Sequence, residues 1–493
     1  MKSVLEPAAE PRTTSHQTTT LLRQVFRGSV WQGLSIAIGR VAPSVMTIIL
    51  AWWLEPQALG VISFVLAYFS VLNFLADWSI AYSVQTLIPQ NSDRIGQTAW
   101  TALFVRLGLS TVLGLLCLGL DATTAVFHGY GAYLAMLLIT SSFATIAFVQ
   151  NACCNFRAGG LFSIGFQVGW VVIALLLVKA GMPITGPLLG FCISFTVLGI
   201  PGFLLSPALR GHIRFLRPVA AEILRFGFWA TVATVLGELA SQVGILAVSY
   251  VNGDAAAGIF KVAATFGMLP TLLGTMVLLP LMPVARQGLL RGDDISRSLI
   301  LPILRYLLML GLPIAAVGFV LAPAVIRTFV QQSYMGAVWP MRILLAANLL
   351  RMLVTAFSGI LFVGDGLREL AKIQGSVAAV AVVTTVLVAR NGGAIGVAIG
   401  LLISWLVGAL HLYRWFERRM PVRLEWGKYL RYAGSAVVTA LCTLLAGKLF
   451  QPGVRQLVVG GCVATLVYTF LLWLQRDPAF EQLMRAFAER TAG

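Results

Sequence analysis

The chain has 493 residues, 58% of them hydrophobic and only 11% charged, with a mean hydropathy of +0.88. A soluble domain cannot hide that much apolar surface, and apolar runs of about 20 residues are not the short alternating strands of a barrel, so both classes are excluded in favour of an all-α polytopic membrane protein. The net charge of +17 would suggest nucleic acid in a soluble protein, but here Lys and Arg gather in loops on one side, and no nucleic-acid partner is expected.

Residues 1–24 are polar and rich in Ser and Thr, without the short apolar core of a cleavable signal, and read as a cytoplasmic tail. Apolar windows bounded by Gly, Pro and charges then give about fourteen candidate spans. They lie near 29–53, 61–88, 98–120, 131–154, 161–181, 185–206, 226–251, 257–283, 300–322, 339–364, 371–390, 394–414, 429–449 and 456–475. Segments 11 and 12 are separated by little more than Arg390-Asn391-Gly392-Gly393, a tight turn. The first six spans form an N-terminal bundle, 25–206, followed by a basic cytoplasmic linker, 207–224. The next six form a second bundle, 225–416; two further helices occupy 417–475, and 476–493 is a cytoplasmic tail.

Charge tests that count. With fourteen spans, the two tails and the even-numbered turnarounds share one face, which carries 25 Lys and Arg residues; the other face carries five. Such a split follows the positive-inside rule and puts both termini in the cytoplasm. Shifting the chain by 198 residues brings Arg27 onto Arg225, Trp31 onto Trp229, Gly39 onto Gly237, Ala58 onto Ala256 and Gly60 onto Gly258 without a gap. Both halves would start on the same face, as in a parallel repeat about an axis along the membrane normal. The two six-helix bundles are then pseudo-symmetric, with the last two helices as an appendage. Paired bundles around a cleft are the architecture of alternating-access transporters.

Five cations fall inside apolar segments: Arg40, Arg106, Lys261, Arg342 and Arg351, beside the carboxylates Asp77 and Glu238. Each cation costs about 2.5–3.5 kcal/mol at a helix centre, so five facing lipid would cost about 12–17 kcal/mol. A hydrated, net-positive cavity between helices removes that penalty and points to an anionic cargo. Small and polar residues recur at helical spacing on four segments: Gly33, Ala37, Arg40, Ser44 and Thr47; Ser63, Ser70, Asn73 and Asp77; Thr231, Thr234, Glu238, Ser241 and Gln242; Asn348, Arg351, Thr355 and Ser358. Faces of that kind turn to water or to partner helices, and the four suggest one shared cavity.

Arg40 and Arg351, near mid-helix, are the leading candidates to hold an anion there, with a structural ion pair as the alternative for each, and Asn348 is a further cavity candidate. Arg106 has two readings, lumen residue or structural partner of Asp77. Lys261 and Arg342 sit near segment ends, where side chains can also snorkel to the headgroups. Arg342 and Arg351 are half a turn out of phase, so both cannot easily face one lumen. Asp77 and Glu238 either couple an ion or balance a nearby Arg. The six cysteines and four histidines show no metal-ligand spacing, and no nucleotide-binding loop or nucleophile triad occurs, so neither a metal, a cofactor nor an enzyme activity is expected.

The stretch Leu54-Glu55-Pro56-Gln57-Ala58-Leu59-Gly60, followed by an apolar helix and then Asp77-Trp78-Ser79-Ile80 and Gln85, resembles the N-terminal pattern of bacterial polysaccharide transporters. These are the Wzx-type oligosaccharide-lipid flippases of the multidrug/oligosaccharidyl-lipid/polysaccharide superfamily. The sequence departs from that pattern at Glu55 and Ser79, where the family usually has Gly. Arg342 through Gly364, and Gly393-Ala394-Ile395-Gly396-Val397-Ala398, resemble the family's segments 10 and 12. The resemblance implies a plasma-membrane flippase moving undecaprenyl-diphosphate-linked repeat units from the cytoplasmic to the periplasmic leaflet. Its partners would be that lipid-linked oligosaccharide, membrane lipid, and a polysaccharide polymerase and ligase or export machinery. The drug-exporting branch of the superfamily, which generally favours cationic cargo, and a membrane-embedded polymerase or glycosyltransferase are the alternatives.

Topology is directly checkable. Reporter fusions at Gly493 and at Asn391 should report opposite sides of the membrane, Asn391 the periplasmic one; the same side for both would break the fourteen-span count.

Overall fold

The structure, a computed structural model, describes residues 15–90, 94–206, 209, 213–276, 300–363, 366–419, 425–449, 453–477 and 480–481. The expected end of the eighth span beyond residue 276, the basic loop that follows it, most of both tails and part of the basic linker lie outside the described residues.

All the regular structure described is helical. The first bundle contains α1 (Ser15–Trp53), α2 (Pro56–Asp77), α3 (Ile80–Gln90), α4 (Ile95–Thr124), α5 (Gly131–Ser141), α6 (Thr145–Ala152), α7 (Phe156–Lys179) and α8 (Thr185–Leu205). The second contains α9 (Arg217–Asn252), α10 (Asp254–Gly267), α11 (Leu269–Met276), α12 (Leu301–Phe329), α13 (Val338–Val363) and α14 (Leu367–Arg419), and α15 (Trp426–Gly447) and α16 (Val454–Leu474) follow.

Among the described residues eleven stretches are long and apolar enough to cross a membrane, and the bent pair α10–α11 makes a twelfth. The apolar end of α1, Ala37–Trp53, is a shorter helix of the same kind. Helix α14 counts twice, because Gly393 takes φ 51 and ψ −144 and breaks it. The Thr384 hydroxyl donates to the carbonyl of Gly400 at 3.1 Å, and Ser376 meets His411 at 3.2 Å. Residues at similar distances on either side of position 393 therefore pair, which makes α14 an antiparallel hairpin, and glycine suits the left-handed turn at its tip. On this count the chain is a multi-pass membrane protein of two six-span bundles with two added helices.

Two spans are bent where the sequence pattern runs straight. Between α2 and α3, Trp78 and Ser79 both take positive φ, 42° and 51°. Trp78 is held there by its indole N–H, which donates to the Leu224 carbonyl at 2.9 Å, and the Thr231 hydroxyl donates to that of Ser79 at 3.1 Å. The second bend, of 47°, separates α10 from α11 at Met268.

The bundles meet at the end of α2 remote from that break. A Cβ on Gly60 would overlap the carbonyl oxygen of Asp254, and one on Gly258 would overlap that of Pro56. Position 60 lies 198 residues before 258, and 56 lies 198 before 254, so the contact is self-reciprocal, as across a two-fold axis. Tyr68 and Tyr250 share a hydrogen bond of 2.7 Å between their hydroxyls, and the Tyr250 hydroxyl also lies 2.7 Å from the Val126 carbonyl. His128 stacks on Phe64 beside them, with ring centroids 4.7 Å apart. Tyr334 closes the same corner, its hydroxyl donating to the Leu54 carbonyl at 3.0 Å.

The last two helices are fastened to α12. Tyr468 donates to the Met309 carbonyl at 2.7 Å, and Arg305 grips Glu425 through both oxygens at 2.5 and 2.6 Å. Although partial burial works against its ionised form, that guanidinium holds the Glu425 carboxyl below the usual carboxylate range.

The glycine seam should be intolerant of side chains. Gly60→Ala or Gly258→Ala should destabilise the protein by about 1–3 kcal/mol, the cost of overpacking, read as a lower thermal midpoint in detergent. Gly39→Ala, where a Cβ meets nothing within 4 Å, should leave the midpoint unchanged.

Candidate functional site

Helices α1, α9, α10, α11, α13 and α14 wall a cavity of about 190 Å³. Helical spacing explains which side chains reach it. Glu238, Ser241, Gln242 and Ile245 share one face of α9, Lys261, Ala264 and Thr265 one face of α10, and Leu344, Ala347, Asn348 and Arg351 one face of α13, with Met268 at the break after α10. Arg40 enters from α1 and Trp405 from α14. Three cations thus face one carboxylate.

One oxygen of the carboxylate is committed. Glu238 Oε1 accepts from Gln242 Nε2 at 2.7 Å and from the hydroxyl of Ser70. Ser70 belongs to α2, so this bond joins the two bundles at mid-membrane. The neutral groups are committed too. Thr271 donates to Asn348 Oδ1 at 2.9 Å, while Asn348 Nδ2 donates to the Leu344 carbonyl at 2.9 Å. Ser241, Thr265 and Thr275 donate to carbonyls of their own helices at 2.8, 2.9 and 3.1 Å. Arg40, Lys261 and Arg351 differ: among the described residues none has an ion pair within 4 Å. Arg351 lies over the Trp405 ring, 5.1 Å from its centroid, a cation–π contact that covers the ring face.

An apolar groove of about 680 Å³ adjoins the cavity. Its walls are α1, through Val41, Val45 and Ile48, α12, through Leu310 to Phe329, and α16, through Gly461, Ala464 and Tyr468. Arg40, Thr265, Met268 and Leu272 line both spaces. Arg40 therefore stands where a charged compartment meets a hydrocarbon-like one, and the bend at Met268 falls at the same boundary.

The remaining intramembrane charges lie elsewhere. Arg106 is not among the residues lining this cavity; it stands beside Asp77, the second of its two readings. It is 3% exposed within the first bundle, 3.1 Å from Asp77, and it donates to Thr145 Oγ1 at 3.3 Å and Asn73 Oδ1 at 3.4 Å. Asp77 is accordingly the balancing charge of Arg106 and stands outside the cavity with it. Arg342 also lies outside, half a turn from Arg351. Its Nε donates to the Phe319 carbonyl at 2.9 Å, and its guanidinium sits 4.9 and 4.7 Å from the centroids of Phe319 and Trp339. Lys261, whose position near a segment end also suits snorkelling, lines the cavity.

Sequence reasoning missed Trp405 as the platform under Arg351, the Ser70–Glu238 bond and the whole groove. The first two needed tertiary pairing. The groove is built of the aliphatic residues that also face lipid, so no residue type marks it.

A family model described as polysaccharide biosynthesis protein matches residues 49–339. No curated protein matches the chain. Among solved structures, the lipid II flippase MurJ in an inward closed conformation superposes with a TM-score of 0.65 at 13% identity, covering 91% of this chain and all of that one. An inward-facing multidrug resistance MATE family transporter of the MOP superfamily gives 0.58 at 16% identity, covering 79% and 98% of the two chains. A MOP superfamily transporter from Pyrococcus furiosus, described as having a binding pocket of reversed polarity, gives 0.53 at 15% identity, covering 81% and 95%. At these identities the likeness establishes a shared fold.

Breaking the Arg106–Asp77 pair should be a matter of stability. Arg106→Gln should cost up to about 3–5 kcal/mol by stranding a largely buried carboxylate, seen as lost thermal stability of the purified protein, and adding Asp77→Asn should recover most of it.

Proposed function

The chain belongs to the polysaccharide biosynthesis protein family, and on that premise we propose that it moves a lipid-linked saccharide across a bacterial plasma membrane, without enzymatic chemistry of its own. The cargo is an oligosaccharide repeat unit joined to a polyprenyl lipid by a diphosphate. Arg40, Lys261 and Arg351 engage the diphosphate, the apolar groove takes the beginning of the lipid tail, and the two bundles expose the cavity to each side in turn. Both termini are cytoplasmic, and the delivered unit passes to a polymerase and ligase or to export machinery for exopolysaccharide, capsule or lipopolysaccharide assembly.

One observation carries this reading: three cations without an ion pair within 4 Å among the described residues border a cavity that opens through Arg40 into an apolar groove. Amphiphiles with an anionic head and a hydrocarbon tail match both compartments. The guanidinium fork suits phosphate oxygens. Glu238 offsets one positive charge and ties the cavity to the opposite bundle. A cationic drug would meet a surplus of positive charge here, which disfavours the drug-exporter alternative that the fold also allows.

Loss of the protein should leave lipid-linked repeat units on the cytoplasmic leaflet and abolish one surface or secreted polysaccharide. Normal polysaccharide with heightened sensitivity to cationic drugs would overturn the proposal. Arg40→Gln and Arg351→Gln should each abolish export while folded protein persists in the membrane, and the Lys replacements should retain part of it. Full export from the Arg40→Gln/Arg351→Gln double variant would remove the cavity from the mechanism.

A further inference from the structure

Neither the cavity nor the interior of the first bundle accounts for Arg342. It lies four residues into α13, about 6 Å along the axis from the start of that helix, and helical side chains lean back toward the N-terminus, here a membrane face. Met341 lines the apolar groove; Arg342, about 100° further round the helix, lines neither that groove nor the cavity. It faces the bilayer instead, because the two rings beside it, Trp339 and Phe319, are 56% and 43% exposed.

A proline sets its position. Pro323 lies inside α12 and has no N–H for the carbonyl four residues back, that of Phe319. Arg342 Nε supplies the missing donor from the neighbouring helix at 2.9 Å. Its guanidinium also lies over the Phe319 and Trp339 rings, at 4.9 and 4.7 Å from their centroids. A side chain held at three points cannot stretch to bulk water as a free Arg does.

The clamp leaves the cation only partly satisfied. Among the described residues Arg342 forms no ion pair within 4 Å, and the bond through Nε is its one hydrogen bond. Neither Nη1 nor Nη2 is closed off from its surroundings. A cation at this depth draws an acceptor to itself, and two forked amino groups match the oxygens of a phosphate. The bilayer supplies phosphate near the interfacial level that an exposed Trp marks.

We infer that Arg342 binds the phosphate of a membrane phospholipid in the crevice between α12 and α13, at the outer face in the topology proposed above. The site is separate from both compartments assigned to the cargo, and it stands or falls independently of transport.

Native mass spectrometry of the full-length protein in detergent tests it with three probes: phosphatidylglycerol, the diacylglycerol of the same acyl chains without phosphate, and soluble glycerol 3-phosphate without chains. At the tightest site phosphatidylglycerol should bind at least about tenfold more tightly than either of the others, as expected for charged hydrogen bonds. Arg342→Gln should cut the preference over diacylglycerol to below about threefold, with Arg342→Lys between it and the parent. Arg327→Gln, which removes an exposed cation from the same end of α12, should leave the preference intact. Pro323→Ala keeps every charge but gives position 323 an N–H that competes for the Phe319 carbonyl; it should weaken phosphatidylglycerol by about threefold, the worth of a neutral hydrogen bond, and decides the matter if Arg342→Gln does not fold. Equal affinity for phosphatidylglycerol and diacylglycerol, a preference that survives Arg342→Gln, or one lost equally in Arg327→Gln would overturn the inference. Glycerol 3-phosphate binding as tightly as the lipid would overturn it too, by assigning the site to a free phosphate.

Discussion

A cation inside hydrocarbon must meet water, a counter-ion, a ring face or a ligand, and the arrangement of this protein follows from how its five intramembrane cations meet that demand. Arg106 takes Asp77 and a set of hydroxyl and amide acceptors and becomes part of the first bundle's interior. Arg342 takes two ring faces and a carbonyl oxygen at the edge of the second bundle. Among the described residues Arg40 and Lys261 take neither and Arg351 takes only the Trp405 ring face, and these three border the cavity. The same energetic rule therefore separates architecture from site. A cation with a resident partner stabilises the fold, and cations that share a space with one pre-engaged carboxylate leave that space positive.

The site depends on where the bundles touch. Their contact at Gly60 and Gly258 is made of backbone against backbone, which brings α2 and α10 closer than any side chain would allow. At mid-membrane the contact is Ser70 with Glu238, and near the α2–α3 break it is Trp78 with the start of α9. Between these points α9 presents one face to the first bundle and another to the cavity. Helix α1 stands apart from that tight contact and gives one wall to the groove, while α16, held to α12 by Tyr468, gives another. The added helix α16 is thus part of the wall of the apolar groove.

Much of this was legible in the order of residues, for identifiable reasons. A membrane span is a long run with few charges, so hydropathy and loop charge locate spans well. The turn at Gly393 announced itself through a polar, glycine-rich interruption. The faces bearing Glu238, Ser241 and Gln242, or Asn348 and Arg351, followed from helical period alone. Bends fared worse. Gly267 and Pro270 flank the break at Met268 and were available as signals, but nothing local forces Trp78 and Ser79 into left-handed backbone, because tertiary hydrogen bonds hold them there. Partner choice was the least legible. Asp77 and Glu238 look alike in sequence, each a carboxylate in an apolar stretch. One is spent on a buried Arg and the other borders the cavity, a difference fixed by α4 and α2 and not by either residue's neighbours in the chain.

The bond between Ser70 and Glu238 ties electrostatics to shape. The carboxylate that sets the cavity's net charge is also the acceptor that fastens α9 to α2. Parting α2 from α9 would strip that oxygen of its Ser70 donor, and the same group carries the one negative charge set among Arg40, Lys261 and Arg351, so the attachment of the bundles and the charge balance of the cavity meet at a single oxygen atom.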